Sequence, residues 1–260
     1  MEETLRRLNE MLLEEMPQYR RDAERVAPDR ASQRALLRGL MNVRPPMALS
    51  ERFLTAQDAL LSAEREARGV VPVSELPARD RIALWQGDIT RLDADSIVNA
   101  ANSQLLGCFI PGHTCVDNVI HSAAGLQLRE ACAEIMRAQG HEEPTGSAKI
   151  TPGFNLPAKH VLHTVGPIIT GPLTDQDREE LSSCYRACLA LAAEHGLKTV
   201  AFCCISTGVF HFPKNEAARI AVRTVRSVLK DDDHFEKIVF CVHSEENRSI
   251  YEQLLQGETE

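Results

Sequence analysis

Residues 96–121 read Ser-Ile-Val-Asn-Ala-Ala-Asn-Ser-Gln-Leu-Leu-Gly-Cys-Phe-Ile-Pro-Gly-His-Thr-Cys-Val-Asp-Asn-Val-Ile-His, and the fold is read outward from them. Ser96 to Ala100 is a short strand. Val98 to Ser103 carries that strand into a loop of small residues, over which a backbone can approach a ligand closely. Asn102 can donate and accept hydrogen bonds to sugar hydroxyls, although a tight turn also uses Asn. Gly107 to Cys115 then holds two thiols and one imidazole in a loop stiffened by Pro111. Cys108, His113 and Cys115 make a three-ligand zinc set with a fourth position left for water or substrate. The spacing is no standard finger, so two buried thiols beside a loop histidine is the competing reading. His121 is the other candidate ligand nearby, but it lies on the helix that follows. That helix opens at Val116, and Asp117 in its first turn either complements the helix dipole or addresses a water beside the metal.

Strand-like and helical stretches alternate on both sides of this unit. Upstream, Ile82 to Trp85 is a strand followed by Gly87-Asp88-Ile89-Thr90. An aspartate there is a turn residue or an acceptor for an exocyclic amine. Downstream, the helix from Val116 to about Ala138 is interrupted near Gly125. Ala148 to Thr151 and Val161 to Val165 are strands, and Asp177 to Glu194 is a helix closed by Gly196. Thr199 to Ile205 is a buried strand that places Cys203 and Cys204 on opposite faces. Ile205-Ser206-Thr207-Gly208-Val209-Phe210 leads into a helix begun by Pro213. Such a turn can gather backbone N–H groups around a diphosphate, and Phe210 can stack on a sugar or base. Ile238 to Val242 and Glu245 to Leu255 supply the last strand and helix. The alternation predicts an α/β fold whose sheet is covered on both faces.

The first 78 residues have a different texture, rich in Arg, Glu, Leu and Ala. Leu5, Leu8 and Leu12 recur at helical spacing up to Pro17. Ala31 to Leu40 is a second helix. Ser50 caps a third that reaches Arg68 and stops at Gly69. This predicts a helical extension over residues 1–78, either packed on a main domain of residues 79–257 or free to bind a partner.

Composition narrows the classes. The chain has 260 residues, 43% of them hydrophobic and 25% charged, which suits a folded globular protein. Its net charge of −8 argues against tight non-specific nucleic-acid binding, though it leaves room for a small anionic ligand held by backbone amides. No apolar run is long enough to span a bilayer. The acidic N-terminus has no signal-peptide pattern, and the eight cysteines read as free thiols or metal ligands in a cytoplasmic protein. Cys132, Cys184, Cys188 and Cys241 read as structural, and His141, His160, His163, His195, His211, His234 and His243 as bland. There is no Gly-x-Gly-x-x-Gly after a strand, no P-loop, no His-Glu-x-x-His and no nucleophile elbow.

Order carries more than any one block. Gly87-Asp88-Ile89-Thr90 comes first, then Val98 to Asn102, then the helix opening with Val116-Asp117 and continuing Ile120-His121 to Gly125. After it come Ile150 to Lys159, His163-Thr164-Val165-Gly166-Pro167, and Ile205 to Pro213. This succession resembles the macrodomain family from about Arg79 to Leu255. In hydrolytic macrodomains a glycine-rich loop usually precedes the Val-Asp of the helix. Here that position is Cys108 to Cys115, which resembles the family's zinc-containing branch, where Cys, His and Cys hold one zinc beside ADP-ribose.

The resemblance implies a three-layer α/β/α fold with a mixed central sheet. It implies Asp88 and Ile89 at the adenine end, and Asn102, Val116 and Asp117 around the distal ribose and phosphates. Ser206, Thr207, Gly208, Val209 and Phe210 would form the phosphate loop and its aromatic wall. It further implies a monomeric hydrolase that removes mono-ADP-ribose from modified proteins, with ester-linked acidic side chains as the expected target. Catalysis would centre on Asn102 and Asp117 beside zinc at Cys108, His113 and Cys115. The alternative is a reader of ADP-ribose in which the zinc is structural.

Overall fold

A computed structural model describes residues 2–257. The extension begins with α1 (Glu2–Glu15), a single turn α2 (Arg20–Ala23), α3 (Arg30–Val43) and α4 (Glu51–Arg68). Ser50 accepts the Phe53 N–H, as an N-cap should. The apolar stripes of these helices meet: Leu5, Leu8, Leu12, Leu37, Leu40 and Phe53 form one buried cluster. Leu126, from the following domain, completes it, so the extension shares a core with the rest of the molecule.

The sheet is built from β1 (Ala78–Arg79), β2 (Ile82–Gln86), β3 (Ser96–Ala101), β4 (Ala148–Pro152), β5 (His160–Val165), β6 (Thr199–Phe202) and β7 (Lys237–Val242). Their order is β1-β2-β7-β6-β3-β5-β4. The pairings of β2, β7, β6, β3 and β5 are parallel, while β1 and β4 run antiparallel at the edges. Helices α5 (Val116–Ala124) and α6 (Leu126–Gln139) lie against β3 and β4. Helices α7 (Asp175–Glu194), α8 (Lys214–Asp231) and α9 (Glu245–Gln256) pack on one another over the sheet. This is the expected three-layer α/β/α arrangement with a mixed sheet. Among the described residues, no helix is long and apolar enough to cross a membrane.

Most element ends fall within a few residues of the sequence reading, and three of the differences bear on capping or on the site. α7 starts at Asp175, because Thr174 and Asp177 form a reciprocal capping box in which Asp177 is the third helical residue. β6 ends at Phe202, so Cys203 and Cys204 lie in the turn beyond the strand rather than on its two faces. α8 starts at Lys214, with Pro213 at the N-cap. The edge strand β1 escaped notice because it is two residues long and exposed.

β3 and β6 pair only at Ser96–Val200 and Ile97–Ala201. Beyond those residues the two strands part. The chain runs from β6 outward to β7 and from β3 toward β5 and β4, so the crossovers diverge at this point. A crevice at the carboxyl ends of the strands, where connections diverge, is where open α/β sheets bind ligands.

Candidate active site

A cavity of about 970 Å³ opens at that position, and every site residue inferred from the sequence lines it. The strand ends supply its walls. Asp88 follows β2, and its Oδ1 accepts from Thr90 N at 3.0 Å and Thr90 Oγ1 at 2.7 Å. Its Oδ2 faces Arg68 Nη1 of α4 at 3.4 Å. Ile89 beside it is buried. Asn102, just past β3, is partly occupied locally: Oδ1 accepts the Gln104 N–H at 3.0 Å and Nδ2 donates to Gly107 O at 3.2 Å. These bonds fix the turn that the sequence left open as an alternative role.

The loop after β6 wraps the opposite wall. Ser206 is buried at a φ of 62°. Thr207 Oγ1 donates to Cys204 O at 2.9 Å, and Phe212 N to Ser206 O at 3.0 Å. Phe210 O accepts the Ile169 N–H at 2.9 Å, which ties the aromatic wall to the segment after β5. Val209 is 62% exposed at the rim. Gly166 approaches this loop so closely that a Cβ there would lie 2.0 Å from Ser206 Oγ.

The Cys108, His113 and Cys115 donor atoms all lie within 4.8 Å of one another. Cys108 Sγ and His113 Nδ1 are 3.6 Å apart. Cys115 is the N-cap of α5, and its Sγ accepts the Asn118 N–H at 3.4 Å. Burial pushes its thiol up to about 11. At the head of the loop, Gly107 has a φ of 79°, and a Cβ there would lie 2.9 Å from the His121 ring, so both backbone angle and space require glycine.

Asp117 sits at the cavity floor and is 5% exposed. Burial raises its carboxyl to about 6, against the lowering influence of the Asn99 hydrogen bond and the Arg129 charge. Asn99 Nδ2 donates to Asp117 Oδ1 at 2.8 Å and lies 3.2 Å from His163 Nδ1. His163 Nε2 is 2.9 Å from Thr151 Oγ1. Because the Asn99 amide can only donate, His163 Nδ1 accepts and Nε2 carries the proton. Burial holds His163 down to about 3, so the ring is neutral.

His121 does not join the cysteine loop. Its Nε2 faces Asp117 Oδ1 at 3.5 Å, and its ring falls in a buried group with Cys132 and His163. The sequence reading treated His163 and Cys132 as bland and passed over Asn99. The available signal was an amide side chain, Asn99, following Ile97 and Val98 in the middle of a largely buried strand.

The chain is similar to known proteins. Residues 98–221 match the Macro domain family. The chain is 52% identical over 253 residues to the "Protein-ADP-ribose hydrolase" of Treponema medium, covering 95% of this chain and 96% of that one. It is 50% identical over 228 residues to the protein of the same name from Staphylococcus aureus (strain MSSA476), covering 86% and 85%. Among solved structures, the Oceanobacillus iheyensis macrodomain with ADP is 40% identical, with a TM-score of 0.61 over 67% of this chain and 90% of that one. The Trypanosoma brucei macrodomain in complex with ADP-ribose is 31% identical, with a TM-score of 0.66 over 84% and 94%. With half of its residues shared across nearly its whole length with such a relative, and with the fold and the ordered cavity motifs in place, this chain belongs to the Macro domain family.

Proposed function

We propose that the chain is a hydrolase that releases mono-ADP-ribose from modified proteins, with ester-linked acidic side chains as substrate and one zinc ion held by Cys108, His113 and Cys115. The observation that carries this reading is the convergence of those three donor atoms on the wall of the same cavity that holds Asn102 and Asp117. The names of the half-identical relatives support the hydrolase part of this reading.

The donor set fits zinc. Two thiolates and an imidazole are ligands that zinc takes readily. Bonds of about 2.3 Å to sulfur and about 2.0 Å to nitrogen, opened to a tetrahedral angle, separate the donors by about 3.5 Å; Cys108 Sγ and His113 Nδ1 stand 3.6 Å apart. His121 belongs to a different cluster, which supports a position left for substrate or water over a closed structural site. When bound, the ion supplies Lewis acidity toward an oxygen, tempered by the charge donated from two thiolates.

The chain's own residues do the positioning. Asn99 and His121 both face Asp117 Oδ1, so Oδ2 is the oxygen left for a ribose hydroxyl or the attacking water. Asn102, pinned by Gly107 and Gln104, holds a fixed direction at the distal ribose. The turn Ser206 to Phe210 cradles the diphosphate through its backbone, and Asp88 Oδ2 accepts from the adenine amine at the far end. The same reading takes the enzyme to be cytoplasmic and monomeric and to act on a modified protein.

The test is release of ADP-ribose from a mono-ADP-ribosylated protein by metal-loaded enzyme, chelator-treated enzyme and Cys108→Ala. Release that vanishes in the last two establishes zinc dependence. Release that survives both moves the chemistry to Asn102 and Asp117 and makes the metal structural. Binding of ADP-ribose without any release would make the chain a reader.

A further inference from the structure

The Cys108–Cys115 loop has no regular structure of its own to fix three ligands. A single internal turn, His113 N to Ile110 O at 3.2 Å, is the only backbone hydrogen bond recorded within it among the described residues. Gly112 at its tip is exposed with a φ of 66°. Its geometry therefore has to be imposed from outside.

The outside support comes from α3. Asn42 Oδ1 accepts the Gly112 N–H at 2.9 Å. Arg38 Nη2 donates to His113 O at 2.8 Å. The two residues are one helical turn apart and so share a face, while Leu37, Leu40 and Met41 point into the apolar cluster of the extension. The same two side chains also grip α5. Arg38 Nη2 donates to Asn118 Oδ1 at 2.9 Å, and Asn42 Nδ2 to Ser122 Oγ at 3.1 Å. Ser122 Oγ in turn donates to Asn118 Oδ1 at 3.2 Å, which links the four side chains in one chain, from Arg38 through Asn118 and Ser122 to Asn42. From that chain, Asn118 Nδ2 reaches back to Ile110 O at 3.0 Å and Cys108 O at 3.3 Å. Asn42 and Asn118 are 2% and 0% exposed. Packing alone would place apolar residues at this seam; a chain of directional hydrogen bonds there acts to fix direction.

We propose that Arg38 and Asn42 are positioning residues of the active site, and that the N-terminal extension sets the ligand geometry of the Cys108–Cys115 loop. This rests on the zinc reading above. Groups that orient the ligands of a metal are worth about 10- to 100-fold in metal affinity.

The experiment uses the full chain. Zinc affinity is measured by competition with a chromogenic chelator, together with amide hydrogen exchange across residues 107–118, for wild type, Arg38→Ala, Asn42→Ala and Arg38→Lys. Both alanine variants are expected to bind zinc about 10- to 100-fold more weakly and to exchange faster at Gly112 and His113. Arg38→Lys keeps the charge and reach without the fork, so it recovers part of the loss; it also carries the measurement if Arg38→Ala does not fold. Wild-type zinc affinity in the alanine variants overturns the proposal. If the wild-type protein takes up no zinc, the zinc reading fails on its own, and exchange decides: faster exchange at Gly112 in Asn42→Ala sustains the clamp, and equal exchange overturns it.

Discussion

Asn99 Nδ2 donates to Asp117 Oδ1 across 2.8 Å, joining the middle of β3 to the first turn of α5. Asn99 is fully buried and Asp117 nearly so. The carboxylate at the cavity floor is thus aimed by a residue on the strand behind it. Removing the amide in Asn99→Ala leaves a buried carboxylate short of a donor, at about 1.5–3 kcal/mol of folding stability. ADP-ribose release should slow by about tenfold or more, since misdirected groups lose rate steeply. Single-turnover assays and urea melts check both; a variant with full rate would show that Asp117 is aimed by something else.

Gly166 and Ser206 test the proposed phosphate loop. A methyl at Gly166 would meet Ser206 Oγ at 2.0 Å and Ile205 Cγ2 at 2.8 Å, so Gly166→Ala must displace the turn that follows β6. ADP-ribose affinity should fall by about tenfold, or ~1.4 kcal/mol. Adding Ser206→Ala removes the nearest obstacle, and the double variant should recover part of the affinity by calorimetry. A double variant no better than the single one would place the strain elsewhere.

Acid sensitivity follows from His163. Burial holds the folded ring down to about 3, against about 6.5 in an unfolded chain. Below the unfolded value the unfolded state binds the extra proton. The contribution of His163 to stability is therefore complete above about pH 6.5 and is lost as pH falls toward about 3. At about pH 5 the loss is roughly 2 kcal/mol, from a slope of ~1.4 kcal/mol per pH unit. Denaturant melts across that range should show a shallower slope for His163→Gln than for wild type. Equal slopes would refute a neutral buried His163.

The seam between extension and sheet domain has its own probe. α6 receives no side-chain cap from Gly125. Instead Gln57 of α4, fully buried, accepts the Leu126 N–H at 2.9 Å and donates to Gln127 Oε1 at 2.6 Å. Gln57→Ala leaves a helix N-terminal amide unpaired and should cost about 1–3 kcal/mol. It lies away from the cavity, so ADP-ribose affinity should hold while the melting temperature drops. A fall in affinity of the folded variant would show that the seam also shapes the pocket.

Much of the architecture was legible because its causes are local. Ser50 and Gly69 bracket α4 through capping and a left-handed stop. The periods of apolar residues separate the helical extension from the strand-and-helix alternation. The ordered blocks from Gly87 to Pro213 gave the family and the residues that line the cavity. The boundary differences are local too: the Thr174–Asp177 capping box is visible in the sequence, yet the sequence reading begins the helix at Asp177, its third residue.

Sequence alone determined which segments are strands and helices, the family, and a loop with the ligand types that zinc prefers. Only the tertiary structure decided how those parts act on one another. The cavity exists because β3 and β6 part after two residue pairs, a property of register between strands about a hundred residues apart. Asn99 and His163 acquired their place behind Asp117 from β3–β5 pairing, and Arg38 and Asn42 reach loop residues 75 and 70 positions away. A side chain's periodicity says whether it is buried; its hydrogen-bond partner depends on which distant backbone the fold brings within about 3 Å.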